Sequence, residues 1–170
     1  MNHIVLYQPE IPQNTGNIMR TCVASNMKLH LIEPLGFSLS EKHVKRSAAN
    51  YYEHLDYEVY PDFETFQSKN KGTYYFLSRY GQKAPSQMDF SHNKNDIYLI
   101  FGSESSGIPK TILKNHKETL MRIPMTDKVR SLNLSNTVAI LSYEVLRQQN
   151  YNDLFTHEPE SLKGKDYLDQ

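Results

Sequence analysis

Three polar segments of the chain hold the residue types that can bind a small ligand or a transferring group. In PEIPQNTGNIMRT, residues 9–21, Asn14 or Thr15 can cap a helix, Gly16 allows close approach, and Arg20 follows a little over one turn later. Backbone N–H groups at a helix start, with an arginine nearby, suit an anion. An ordinary capped helix with a solvated arginine fits the same residues. In LIFGSESSGIP, residues 99–109, an apolar run breaks into a glycine-bracketed loop whose only charge is Glu104. The loop has no lysine, and its glycines follow neither nucleotide fingerprint. A carboxylate there repels polyphosphate and suits a ribose, an amine or a sulfonium; a plain strand-to-helix turn is the alternative. In IPMTDKVRSLNLSN, residues 123–136, Arg130, Ser131, Asn133, Ser135 and Asn136 crowd together just ahead of an amphipathic helix. Buried polar groups need partners, so these bond one another or a ligand.

The elements that must position these segments alternate. Apolar runs predict strands over residues 4–7, 29–32, 73–78, 97–101 and 120–123. Helical spacing predicts helices over residues 15–26, 40–49, 62–70, 108–115 and 135–149, with Asp62 capping the third and Asn133 or Ser135 the last. The helix over 15–26 turns Ile18, Met19, Cys22 and Val23 to the core and Arg20 away from it. Residues 79–95 read as a polar connection. Strands alternating with helices mean an α/β fold, a mostly parallel sheet with helices on both faces. Ligands of such sheets sit at the carboxyl ends of the strands, where all three polar segments fall. Residues 1–150 read as one domain; 151–170 form a polar tail, docked or disordered.

Composition narrows the function classes. Among 170 residues, 19 basic side chains balance 19 acidic ones, so there is no global pull toward nucleic acid or membrane. Any RNA must be met by a local patch, such as Lys42, Lys45 and Arg46 on the second helix, which read equally as a solvated face. The single cysteine, Cys22, excludes an internal disulfide framework and a cysteine metal cluster. The seven histidines lack the short spacing of a metal site. No run could span a bilayer, and MNHIVLYQPEIP lacks the basic start and apolar core of a secretory signal. A cytoplasmic protein is expected.

NTGNIMRTC, IFGSESSGIP, and IPM followed by RSLNLSN, in this order, resemble the three motifs of the SpoU/TrmH branch of the SPOUT methyltransferases. HIVLYQPEIPQNTGN and LHLIEPLGF are similar to its smallest members, the TrmL-type (YibK-like) tRNA 2'-O-methyltransferases. The match runs from about residue 3 to about residue 150. The resemblance implies S-adenosyl-L-methionine as methyl donor, no metal, a C-terminal deep trefoil knot, and a homodimer. It implies methyl transfer to the ribose 2'-OH of the wobble nucleotide, position 34, in the anticodon arm of tRNA. In the family this is cytidine or a modified uridine of leucine isoacceptors. Ribosomal RNA is an alternative substrate, and a non-catalytic RNA-binding module an alternative function.

Carried onto this sequence, the resemblance implies cofactor contacts at Leu77, Ser78, Gly102, Ile123 and Ser131, several through backbone. Glu104 matches the acidic position of the second motif and is read as organising the loop. Arg20 matches the arginine of the first motif, the candidate for activating the 2'-OH. A guanidinium stays protonated, so it suits stabilising an alkoxide and binding a phosphate rather than taking a proton. Asn14, Arg130, Lys45 and Arg46 are the expected RNA contacts.

Overall fold

The computed structural model describes residues 1–40, 44, 49–91 and 94–170. Six parallel strands form one sheet in the order β3-β2-β1-β5-β4-β6. They are β1 (Asn2–Tyr7), β2 (Lys28–Ile32), β3 (Tyr57–Tyr60), β4 (Thr73–Leu77), β5 (Ile97–Phe101) and β6 (Leu120–Met121). Among the described residues, α-helices run over α1 (Pro12–Ala24), α2 (Phe63–Lys69), α3 (Lys110–Leu113) and α4 (Leu134–Gln148), besides the single helical position Val44.

Alternation along the strands builds two cores. Ile4, Leu6, Leu29, Leu31, Leu99 and Phe101 pack with Ile18, Met19 and Cys22 of α1 and Val138, Leu141 and Val145 of α4. Val5, Ile32, Tyr60, Phe76, Tyr98 and Ile100 pack on the other face with Phe66 of α2 and Leu113 of α3. Strand β5 lies mid-sheet and all five of its residues are buried. Each such apolar side chain stabilises the fold by about 1.5–3 kcal/mol. That is why the continuous run IYLIF was readable as a two-faced strand.

Asp62 caps α2, its side chain accepting from the Thr65 N–H at 2.7 Å, as its position predicts. Hydrogen bonding from the Thr65 side chain, and after it from the Thr65 N–H, holds its carboxyl below the ordinary aspartate range. Asn133, rather than Ser135, caps α4. Two expectations are corrected. The first helix starts at Pro12, three residues before the expected Thr15, and its N-cap is Ile11, with no side-chain cap of its own. Proline suits a first helical position because its missing N–H is not needed there. A strand over Tyr57–Tyr60 was not expected; it is short, half-polar and defined by parallel pairing to Leu29–Ile32. The helix expected over residues 40–49, with Lys42, Lys45 and Arg46, lies outside the described residues except for Val44, which is helical and buried.

The end of β6 is held from two sides. The Ser78 N–H, just past β4, donates to the Met121 carbonyl at 2.9 Å, and the Arg122 N–H donates to the Lys83 carbonyl at 2.9 Å. The chain at 121–122 therefore passes between the end of β4 and the segment that follows it.

Candidate active site

The carboxyl ends of β4 and β5, the turn before α1 and the approach to α4 enclose a cavity of about 590 Å³. Leu77, Ser78, Gly102, Glu104, Ile123, Arg130, Ser131 and Asn14 all line it. Eight of the residues singled out from the sequence thus meet at one place. Arg20 does not line the cavity. It lies on the exposed side of α1, more than two turns from the helix start. Its guanidinium donates to the Tyr51 hydroxyl at 2.9 Å and sits 4.6 Å from that ring's centroid. Lys45 and Arg46 are outside the described residues.

The glycine loop closes on itself. Ser103 and Gly107 exchange backbone hydrogen bonds of 3.3 and 3.0 Å. Gly107 has a φ of +68°, and a Cβ on Gly102 would lie 2.3 Å from the Gly107 carbonyl carbon. A side chain at Gly102 would force the loop open, whereas one at Gly107 would meet open space but strain the left-handed backbone.

One carboxylate ties this loop to the next. Glu104 Oε1 accepts from the Glu10 N–H at 2.8 Å, and its Oε2 accepts from the Ile11 N–H at 2.9 Å and from Asn14 Nδ2 at 3.1 Å. In return, Glu10 Oε1 accepts from the Ser105 N–H at 3.0 Å and the Ser105 hydroxyl at 2.5 Å. Those two bonds hold the Glu10 carboxyl below the ordinary glutamate range. The entry into α1 is therefore fixed by a side chain some ninety positions away. This accounts for the early helix start, and it shows that Asn14 is not the cap.

The relay continues. Asn14 Oδ1 accepts from Asn133 Nδ2 at 3.1 Å, and Asn133 Oδ1 accepts from the N–H groups of Ser135 and Asn136 at 2.9 and 3.2 Å. Each amide uses its nitrogen toward one neighbour and its oxygen toward the other, so both orientations are determined. Asn14, at 6% exposure, is thereby held at both ends of its amide while it lines the cavity. The three motif segments are bound into one unit through Glu104, Asn14 and Asn133.

The cavity also gathers residues the sequence reading did not single out. Arg79, Tyr80 and Arg122 line it together with Arg130. The Arg122 guanidinium donates to the Arg79 carbonyl at 2.9 Å. Nothing local in the sequence marks these residues, because they meet only when β6 is laid beside β4. Among the described residues, no three His, Cys, Asp or Glu side chains are grouped to hold a metal ion. No helix among them is long and apolar enough to cross a membrane.

The model of the SpoU rRNA methylase family matches residues 1–143. The chain belongs to this family. A Bacillus subtilis (strain 168) protein, provisionally named tRNA (cytidine(34)-2'-O)-methyltransferase, is 51% identical over 154 residues, covering 89% of this chain and 96% of the relative. A solved structure from Bacillus anthracis, provisionally named an RNA methyltransferase, is 51% identical with a TM-score of 0.85, covering 91% of this chain and 98% of that one. Another, described as giving insights into the 2-OH methylation of C/U34 on tRNA, is 39% identical with a TM-score of 0.82 and covers 89% and 98%. The SpoU methyltransferase AviRb from Streptomyces viridochromogenes, solved with AdoMet, is 20% identical and covers 87% and 57%. It shares the fold, with a TM-score of 0.73.

Proposed function

We propose that this protein transfers a methyl group from S-adenosyl-L-methionine to the ribose 2'-OH of the wobble nucleotide, position 34, of tRNA. The nucleotide is cytidine or a modified uridine, and the acceptors are leucine isoacceptors. The observation that carries this reading is the union of the three motif segments around one cavity through Glu104, Asn14 and Asn133. The names of the relatives at 39–51% identity support the substrate.

The cavity fits the donor. Its volume lies in the usual range for a cofactor site. Apolar walls at Leu77, Phe101, Ile108 and Ile123 stand beside the backbone of the glycine loop. Leu77, Ser78, Gly102, Ile123 and Ser131 would hold the adenosyl and amino-acid ends, with Glu104 keeping the loop in shape. When bound, the donor supplies a methyl already activated by a positive sulfur. The protein's own task is then alignment: holding the acceptor oxygen in line and excluding water. Arg20, permanently charged, binds a phosphate beside the acceptor ribose and stabilises the oxygen as its proton leaves.

We further assign a trefoil knot, a homodimer and a cytoplasmic setting. The grip on residues 121–122 from both sides supports threading. Exposed Ile140 and Tyr143 on α4, and the position of Arg20 outside the cavity wall, support a second subunit. Residues 1–150 form the catalytic domain, and 151–170 an appended tail. Arg130, with Lys45 and Arg46, contacts the anticodon arm, so affinity falls steeply with salt.

The deciding experiment is methyl transfer from labelled S-adenosyl-L-methionine to total tRNA from a strain lacking the gene, with the nucleoside identified by mass spectrometry. A 2'-O-methylated nucleoside at position 34 is expected. Transfer to ribosomal RNA alone would remove the tRNA assignment, and absence of cofactor binding would remove the whole reading. In the same assay Arg20→Ala should lower kcat on the order of 100-fold or more, while cofactor affinity is kept.

A further inference from the structure

We infer that Tyr80 is a stacking platform for a base of the RNA substrate, placed at the mouth of the cavity by a rigid turn. The inference rests on the methyl-transfer reading above and names a specificity contact for it. Tyr80 is 70% exposed, although its neighbours on both sides in sequence are fixed. Its N–H donates to the Ser78 hydroxyl at 3.1 Å, and the Gly81 N–H donates to the Ser78 carbonyl at 3.2 Å. A Cβ on Gly81 would lie 2.3 Å from the Met121 carbonyl carbon, so the turn is pressed onto the chain end of β6. The ring is therefore presented by a turn that cannot fold back to bury it.

Single exposed aromatics are common, and exposure alone decides nothing. The surroundings decide. The Arg79 guanidinium stands 5.4 Å from the centroid of the Tyr80 ring, and Arg122 is tied to the Arg79 carbonyl. With Arg130, three arginines line the same cavity as Tyr80. The carboxylate in that lining, Glu104, already accepts three N–H groups. A chain with no net charge thus places a local cationic rim around one solvent-facing aromatic. Aromatic rings beside arginines bind single-stranded nucleic acid by stacking on bases while the cations hold phosphates. One side of the ring faces Arg79, and the exposed remainder is where a base can lie.

The test uses anticodon stem-loop RNAs, one intact and the others with an abasic nucleotide at each loop position in turn. Binding is read by fluorescence anisotropy and methyl transfer by steady-state kinetics, for the unaltered protein, Tyr80→Ala and Tyr80→Phe. Stacking is typically worth a factor on the order of ten in affinity. Tyr80→Ala should raise Kd and KM for the intact RNA by that factor, Tyr80→Phe should restore them, and S-adenosyl-L-methionine affinity should not move. At one loop position the abasic RNA should weaken binding to the unaltered protein but not to Tyr80→Ala. Equal abasic penalties in both proteins, or a loss confined to cofactor affinity, would overturn the inference. The binding arm needs no turnover, so absence of methyl transfer with an intact stacking signature would count against the substrate reading and not against the platform.

Discussion

Two polar networks lie inside this molecule, and they are built in different ways. At the carboxyl end of the sheet, Glu104, Asn14 and Asn133 join loops using one carboxylate, two amides and several backbone N–H groups. On the α2 face, the network runs through the strands themselves. His3 Nε2 meets Asp96 at 3.0 Å, His3 Nδ1 meets His30 Nε2 at 2.9 Å, and His30 Nδ1 meets the Tyr60 hydroxyl at 2.8 Å. The Tyr60 hydroxyl also contacts Glu58. Taking Asp96 as acceptor, His3 donates to it from Nε2 and accepts at Nδ1 from His30, while the one Tyr60 hydroxyl proton goes to Glu58. Tyr98 stacks on His3 with centroids 4.2 Å apart. The first network opens on a cavity and fixes where loops begin. The second fills a sheet face with groups that titrate. Similar hydrogen bonds therefore serve different ends: one set aligns a site, the other makes stability depend on pH.

The largest expected effect breaks the first network. Glu104→Ala removes the acceptor for three N–H groups and frees the start of α1 from the glycine loop. Methyl transfer should fall on the order of 100-fold or more, with cofactor binding weakened in calorimetry. Glu104→Gln keeps part of the acceptor set and should lie between. If Glu104→Ala lowered stability and left turnover intact, the contrast between the two networks would be lost.

The matched change in the second network should invert that pattern. His30→Leu leaves the His3 Nδ1 and the Tyr60 hydroxyl without their shared partner in a fully buried setting. Denaturant unfolding should show a loss of about 3 kcal/mol, while kcat of the folded enzyme stays close to its original value.

A third prediction sharpens the contrast through pH. Burial lowers the pKa of both histidines, that of His30 to about 3, helped by the nearby charge His3 would carry. Unfolded histidines protonate near 6.5, so above that pH the folded chain keeps its full stability. As pH falls from 6.5 toward 3, the unfolded chain takes up protons that the folded one refuses, and stability drops by about 1.4 kcal/mol per pH unit for each proton. Asp96 acts with the same sign. Burial raises its pKa, but the bonds from His3 and the Met1 ammonium outweigh this, leaving the net value lowered. Urea midpoints measured across this range should fall on acidification, and His30→Leu should flatten the slope. A profile unchanged by His30→Leu would refute the assignment to this network.

The smallest effect concerns a hydroxyl that belongs to neither network. Ser142 is fully buried on α4, and its Oγ has no hydrogen-bond partner among the described residues. Ser142→Ala removes an unpaired polar atom and should raise stability by about 1 kcal/mol, read as a higher urea midpoint with an unchanged slope.

Much of the site was readable before the fold. The glycine loop, the asparagines and the serines announce themselves by type and spacing, and all sit at strand ends because an alternating pattern puts them there. The parts that were not readable share one property: their partners are far away in sequence. Glu10 and Ser105 are 95 positions apart. Tyr57–Tyr60 becomes a strand only by pairing with β2, and Arg79, Tyr80 and Arg122 become neighbours only because β6 lies beside β4.

The amino-acid sequence by itself determined the fold class, the two-faced burial of β5, the Asp62 cap and the three segments that form the site. Each depends on periodicity or on hydrogen bonds within a few residues, which local chain geometry enforces. Only the tertiary structure decided where α1 begins, which way Asn14 and Asn133 turn their amides, and that His3, His30 and Tyr60 stand in one line. Those depend on side chains brought together from positions 27 to 119 residues apart, and no local pattern encodes the distance between them.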